Sequence, residues 1–156
     1  MLDYPDSAAL EESVRTFREK LYASQFPRDR RVLLRYMLWH ENALKQVLAG
    51  KKSNEIKVPL QIVALSDTAA FIFIPFELFT RTGNTLETIF VDTGYSPSSV
   101  IVAGCANGTY GYLAPREELT QGGYEMVEAA HWYGLPQCGN KSEDAVISAV
   151  ERMRII

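Results

Sequence analysis

The chain is poor in the residues that usually announce a chemistry. Among 156 residues there are two cysteines, Cys105 and Cys138, and two histidines, His40 and His131. Two thiols so far apart give neither a disulfide framework nor a zinc cluster of the Cys-x-x-Cys kind, and both are expected to be free. No stretch approaches the roughly 20 uninterrupted apolar residues of a membrane span. The opening residues, Met1-Leu2-Asp3-Tyr4-Pro5-Asp6, hold neither a basic region nor a hydrophobic core. No signal peptide is therefore expected, which leaves the cytoplasm as the default location and nothing firmer. Charge of one sign is lacking too: 16 basic and 19 acidic residues leave a net charge of −3, with no long block of either. Nucleic acid is accordingly a poor partner. The one basic cluster, Arg28, Arg30, Arg31 and Arg35, falls at an expected helix start beside Asp29 and reads as a solvated face. Gly104, Gly108 and Gly111 fit neither the dinucleotide-binding nor the P-loop spacing. Internal repeats and low-complexity tracts are absent.

What is there fits a single domain over residues 1–156, with 47% apolar and 22% charged residues. Leu10, Val14, Phe17 and Leu21 recur at helical spacing behind a candidate cap at Ser7. Leu33, Tyr36, Met37, His40, Leu44, Val47 and Leu48 give a second amphipathic helix that stops at Gly50. The short link between them predicts an antiparallel helical hairpin over 7–50. From Ile56 to Ala64 apolar and polar residues alternate, with Pro59 among them, which predicts a half-exposed strand near an edge. Ser66-Asp67-Thr68 turns the chain into a continuous apolar strand at 69–74. A helix is expected from Glu77 to Val91, ended by Gly94 and Pro97, and a strand covered on both faces at 99–103. Strand, helix and strand make a βαβ unit, expected to be right-handed with parallel strands. Residues after Tyr124 read as a mixed loop up to a last helix opened by Ser142 and Asp144. The fold class is thus α/β: an N-terminal helical hairpin, a mixed sheet containing the βαβ unit over 55–156, and a C-terminal helix.

The stretch from Ser98 to Glu125 stands out, because a buried apolar run breaks there into glycines, an asparagine and closely spaced tyrosines. Glu77 and the loop from Asn107 to Tyr112 both follow strand ends, where open α/β sheets place ligands. On residues alone, Glu77 has two readings: a carboxylate at the mouth of a core strand, or a helix N-terminal acid favoured by the macrodipole. Tyr112 reads as an aromatic packed under a glycine-rich loop. Cys105 reads as a buried structural thiol with an extra metal ligand as its alternative, and His40 as a core histidine.

The run Ala103-Gly104-Cys105-Ala106-Asn107-Gly108-Thr109-Tyr110-Gly111-Tyr112, then Arg116-Glu117-Glu118, Gly123-Tyr124-Glu125 and Tyr133-Gly134, resembles the end of the catalytic domain of the neutral/alkaline (non-lysosomal) ceramidase family, and its bacterial relatives in particular. Phe71-Ile72-Phe73-Ile74-Pro75-Phe76-Glu77 is similar to that family's strand ending in Pro-Gly-Glu, with Phe76 where glycine is expected. The resemblance spans residues 55–150. It implies a zinc-dependent N-acyl amide hydrolase in which Glu77 is a zinc ligand and Tyr112, five residues after Asn107, completes the metal site. Asn107, Tyr110, Tyr124, His131 and Tyr133 are expected to line the pocket. The family's histidine ligands and serine nucleophile lie upstream of the region covered. The chain is therefore expected to hold half a metal site, no catalytic residue of its own, and no turnover alone. A small N-acyl amide ligand is implied. Either a homo-oligomer or association with the missing upstream part is expected to cover exposed apolar surface. The alternative is a non-catalytic binding or oligomerisation module whose pocket is framed by Tyr110, Tyr112, Tyr124 and Trp132.

Overall fold

The computed structural model describes residues 2–51 and 53–154. In chain order the elements are β1 (Leu2–Asp3), α1 (Ser7–Ala23), α2 (Pro27–Leu48), β2 (Ser53–Asn54), β3 (Gln61–Ser66), β4 (Ala69–Phe73), β5 (Glu77–Leu78) and α3 (Thr80–Val91). They are followed by β6 (Val100–Ala103), β7 (Tyr112–Leu113), a π-helical turn (Tyr124–Glu128), α4 (Ala129–Tyr133), β8 (Gln137–Cys138) and α5 (Ser142–Met153). Among the described residues no helix is long and apolar enough to cross a membrane.

The hairpin forms as its periodicity requires, with Leu10 of α1 packed beside Trp39 and Ala43 of α2. Its cap is Asp6 rather than Ser7: the Asp6 carboxylate accepts the Ala9 N–H at 2.9 Å. A carboxylate one residue ahead of the helix reaches that amide and also suits the positive end of the helix dipole. Two members of the basic cluster are employed at helix ends. Arg30 donates to the carbonyls of Leu21 and Ser24 at the end of α1, at 2.9 and 3.1 Å. Arg35 donates to the carbonyls of His131 and Trp132 at the end of α4, at 3.0 and 2.6 Å. Helix C-termini leave such carbonyls unsatisfied, and an arginine fork suits them.

The central sheet is mixed, in the order β3-β4-β6. β3 pairs antiparallel with β4, Ile62 opposite Ile72, and β4 pairs parallel with β6, Ile72 opposite Val102. The antiparallel strand begins at Gln61 instead of Ile56, since Pro59 has no N–H for a ladder. Val58 and Leu60 still pack against the core. Ala70 and Ile72 of the central strand are buried together with Ile74, Leu86, Phe90, Leu113 and Val150. β6 is not covered on both faces. It lies at the sheet edge, and Ile101 is 49% exposed.

The helix expected from Glu77 starts at Thr80, because the preceding backbone is used sideways. The Glu77 N–H bonds the Gly111 carbonyl at 2.9 Å and the Phe79 N–H bonds that of Leu113 at 3.3 Å, so β5 and β7 form a parallel pair. The expected loop after Tyr124 is largely helical, ending at Gly134 in the left-handed region (φ 69°). β8 then pairs with β1, which also pairs with β2. This small sheet joins the chain's first residues to the segment after α4.

Candidate functional site

The loop from Gly104 to Gly111 is stitched onto the segment that leads into Glu77. Cys105 and Ala106 donate backbone N–H groups to the carbonyls of Phe76 and Ile74, at 2.8 and 3.1 Å, and Tyr110 donates to that of Pro75 at 2.9 Å. Cys105 (φ 53°) and Asn107 (φ 61°) adopt left-handed conformations that let the loop curl back. Gly104 permits the closest approach: a Cβ there would sit 3.0 Å from the Phe76 carbonyl oxygen. Phe76, in the place where a Pro-Gly-Glu strand has glycine, is buried in the core, 6.1 Å from Tyr110 between ring centroids.

The consequence of this stitching is the register of β5 on β7, in which Glu77 stands opposite Tyr112. The half-buried Glu77 carboxylate is hydrogen-bonded by the Tyr112 phenol, and Tyr133 donates its phenol to Glu77 Oε1. The Tyr112 phenol is pushed up to about 12, first by that hydrogen bond, then by desolvation and by the negative field of Glu77 and Glu125. It stays protonated across the physiological range.

Tyr112 borders two cavities. One is an open cleft of about 510 Å³ that also touches Glu77, Phe79 and Cys105. The other, about 240 Å³, is lined by Tyr110, Tyr112, Glu125, Met126 and Tyr133 among others. Cys105, read as a buried thiol, is exposed at the open cleft because the loop carries it outward. Cys138 is half-buried, and burial pushes its thiol up.

The other residues singled out in the sequence sit as follows. Tyr124 is 48% exposed, with its ring edge-on to Tyr112 at 6.4 Å. The Asn107 amide donates to the Gln61 side chain at 3.0 Å, tying the loop to β3. His131 is buried and borders a separate cavity with Arg35 and Trp39. It stacks on Tyr36 at 4.3 Å and on His40 at 5.0 Å between ring centroids. His131 therefore belongs to the seam between the hairpin and α4, apart from the residues that meet Glu77. The stacked histidines lie on different elements, and no local pattern announces such a pair. Glu77 receiving two phenols was equally hidden, since Tyr133 reaches it only through the fold of the segment after Tyr124.

Zinc is normally held by three or four ligands, chiefly imidazole, thiolate and carboxylate. Glu77 offers one carboxylate, already hydrogen-bonded by two phenols, and Tyr112 holds its proton firmly. Among the described residues no group of three or more His, Cys, Asp or Glu is placed to hold a metal ion. These residues by themselves do not fit a zinc centre. What the site offers directly is a carboxylate with two protonated phenols, an arrangement suited to hydrogen bonding and to aromatic contact. No protein-family model and no curated protein sequence matches the chain.

Proposed function

We propose that the chain is a ceramidase-like α/β unit that supplies one wall of an N-acyl amide site and does not turn over substrate alone. The observation that carries this reading is the register of Glu77 opposite Tyr112 at an open cleft. In this reading those two residues contribute to a zinc centre whose histidine ligands and serine nucleophile lie outside residues 1–156. A loop of glycine, asparagine and tyrosine that delivers a phenol to a strand-end carboxylate is what the resemblance of residues 55–150 implies.

The test is to measure zinc content and hydrolysis of a fluorogenic N-acyl amide. The chain is assayed alone and mixed with a recombinant polypeptide carrying the histidine and serine part of a ceramidase-family domain. Weak zinc binding and no turnover are expected alone, with both gained in the mixture and lost again in Glu77→Gln. Robust zinc-dependent hydrolysis by the chain alone, or no zinc in the mixture, rejects the reading.

A second reading, a non-catalytic binding or oligomerisation module, is favoured by one observation: the Glu77 carboxylate is already satisfied by Tyr112 and Tyr133. A metal-free chain even at excess zinc, with the mass of a two-fold dimer in solution, supports that reading over the first.

A further inference from the structure

We infer that the cavity walled by Tyr110, Tyr112 and Tyr133 and bordered by Glu125 binds an organic ammonium ion, a quaternary or alkylated amine. This goes beyond the amide-hydrolase reading and does not depend on it, because this cavity and the open cleft bordered by Glu77 share only Tyr112 among the described lining residues. At about 240 Å³ the cavity has room for a small headgroup. Among the described residues that line it, Glu125 is the one carboxylate, and neither lysine nor arginine takes part. Cys138 also lines it, and its thiol, pushed up by burial, adds no negative charge.

An anion would meet Glu125 with no cation to pair with. A hard metal ion would have to exchange its water for several oxygen ligands, charged ones above all, and the walls offer one carboxylate, that of Glu125, with the neutral side chains of Gln137 and Asn140 beside the tyrosines, Met126 and Leu135. A weakly hydrated organic cation gives up little on entry and is attracted by the negative faces of aromatic rings. Two of these rings are further enriched. The phenols of Tyr112 and Tyr133 are both hydrogen-bonded to Glu77, and a phenol that donates to a carboxylate carries more electron density in its ring.

The experiment compares choline with its neutral carbon isostere, 3,3-dimethylbutan-1-ol, by calorimetry and by chemical-shift changes on the intact chain, with sodium chloride as the salt control. Choline is expected to bind, and the isostere to bind weaker by roughly tenfold, the factor a desolvated cation–π contact supplies. Glu125→Gln is expected to weaken choline several-fold while leaving the isostere unchanged, and Tyr133→Leu to weaken both. Circular dichroism shows whether each variant remains folded. Glu125 is only half-buried, so its substitution keeps the comparison usable if Tyr133→Leu does not fold. Equal binding of choline and isostere, an unchanged choline affinity in folded Glu125→Gln, or no response to choline up to ~50 mM overturns the assignment.

Discussion

Tyr112 faces Glu77 across a two-stranded parallel ladder and hydrogen-bonds the carboxylate it faces. One residue thereby governs the proton of the other. Replacing Glu77 with Gln removes the charge and the strongest acceptor, so the Tyr112 phenol should fall from about 12 toward the ordinary tyrosine value. Ultraviolet titration of tyrosinate, with Tyr112→Phe to identify the transition, reads this directly. Because the phenol is raised in the folded protein, its stabilising contribution is complete below the unfolded value of about 10 and is lost as pH climbs toward 12. An alkaline titration unchanged in Glu77→Gln would contradict the pairing.

The stacked pair His40 and His131 should make stability depend on acid. Burial lowers both imidazoles from their ordinary value of 6.5, and His40 further lowers His131. Each Nδ1 lies 2.7 Å from a backbone carbonyl oxygen, that of Tyr36 for His40 and of Glu128 for His131. Around them Arg35 bonds the His131 carbonyl, and Tyr36 donates to the Glu128 carboxylate at 2.9 Å. A lowered folded value means the neutral rings are favoured by folding. The stabilisation is then complete above 6.5 and is lost as pH falls below it. Melting temperatures should drop between neutral pH and about pH 5, and His131→Phe should flatten that dependence. An equally steep drop in His131→Phe would place the acid sensitivity elsewhere.

Two glycines should respond oppositely to alanine. At Gly104 the new Cβ meets the Phe76 carbonyl oxygen at 3.0 Å, and neither backbone can yield cheaply. A loss of about 1–3 kcal/mol is expected, as for an overpacked site. The Tyr112 titration should also shift toward ordinary values as the loop lifts. Gly83 lies within α3 with nothing within 4 Å of its added Cβ. Alanine there should stabilise by up to ~1 kcal/mol through helix propensity. Urea unfolding of both variants checks the pair, and a neutral Gly104→Ala would show that the loop is not tightly seated.

Thr82 on α3 is fully buried and donates to Glu143 Oε1 at 2.7 Å, while Glu143 Oε2 accepts the Arg116 N–H at 3.2 Å. One side chain at the start of α5 thus holds α3 and the segment after β7. Thr82→Val keeps the shape and removes the donor, with an expected cost of ~1–3 kcal/mol because a carboxylate oxygen loses its partner. Equilibrium denaturation measures it. A cost near zero would mean that Glu143 finds water in place of the threonine.

Sequence determined those parts whose cause is local. The three- and four-residue spacing of Leu10, Val14 and Phe17 is enough to bury one face of α1, and the unbroken apolar run from Ala69 fits the core strand β4. Pro59 and Gly50 act through their own backbones, so the edge character of the first long strand and the end of α2 were legible, though the exact start of that strand was not. Two-residue strands such as β5, β7 and β8 carry no periodicity and exist only because distant segments meet. Glu77 and Tyr112 could each be picked out as polar groups following strands, but their hydrogen bond depends on a register set by the curled loop at 104–111. Tyr133 reaching Glu77, and His131 stacking on His40, depend on how the π-turn and α4 settle against the rest. Those contacts span 56 and about 90 residues of chain, a separation across which side-chain chemistry leaves no local pattern and only tertiary packing decides.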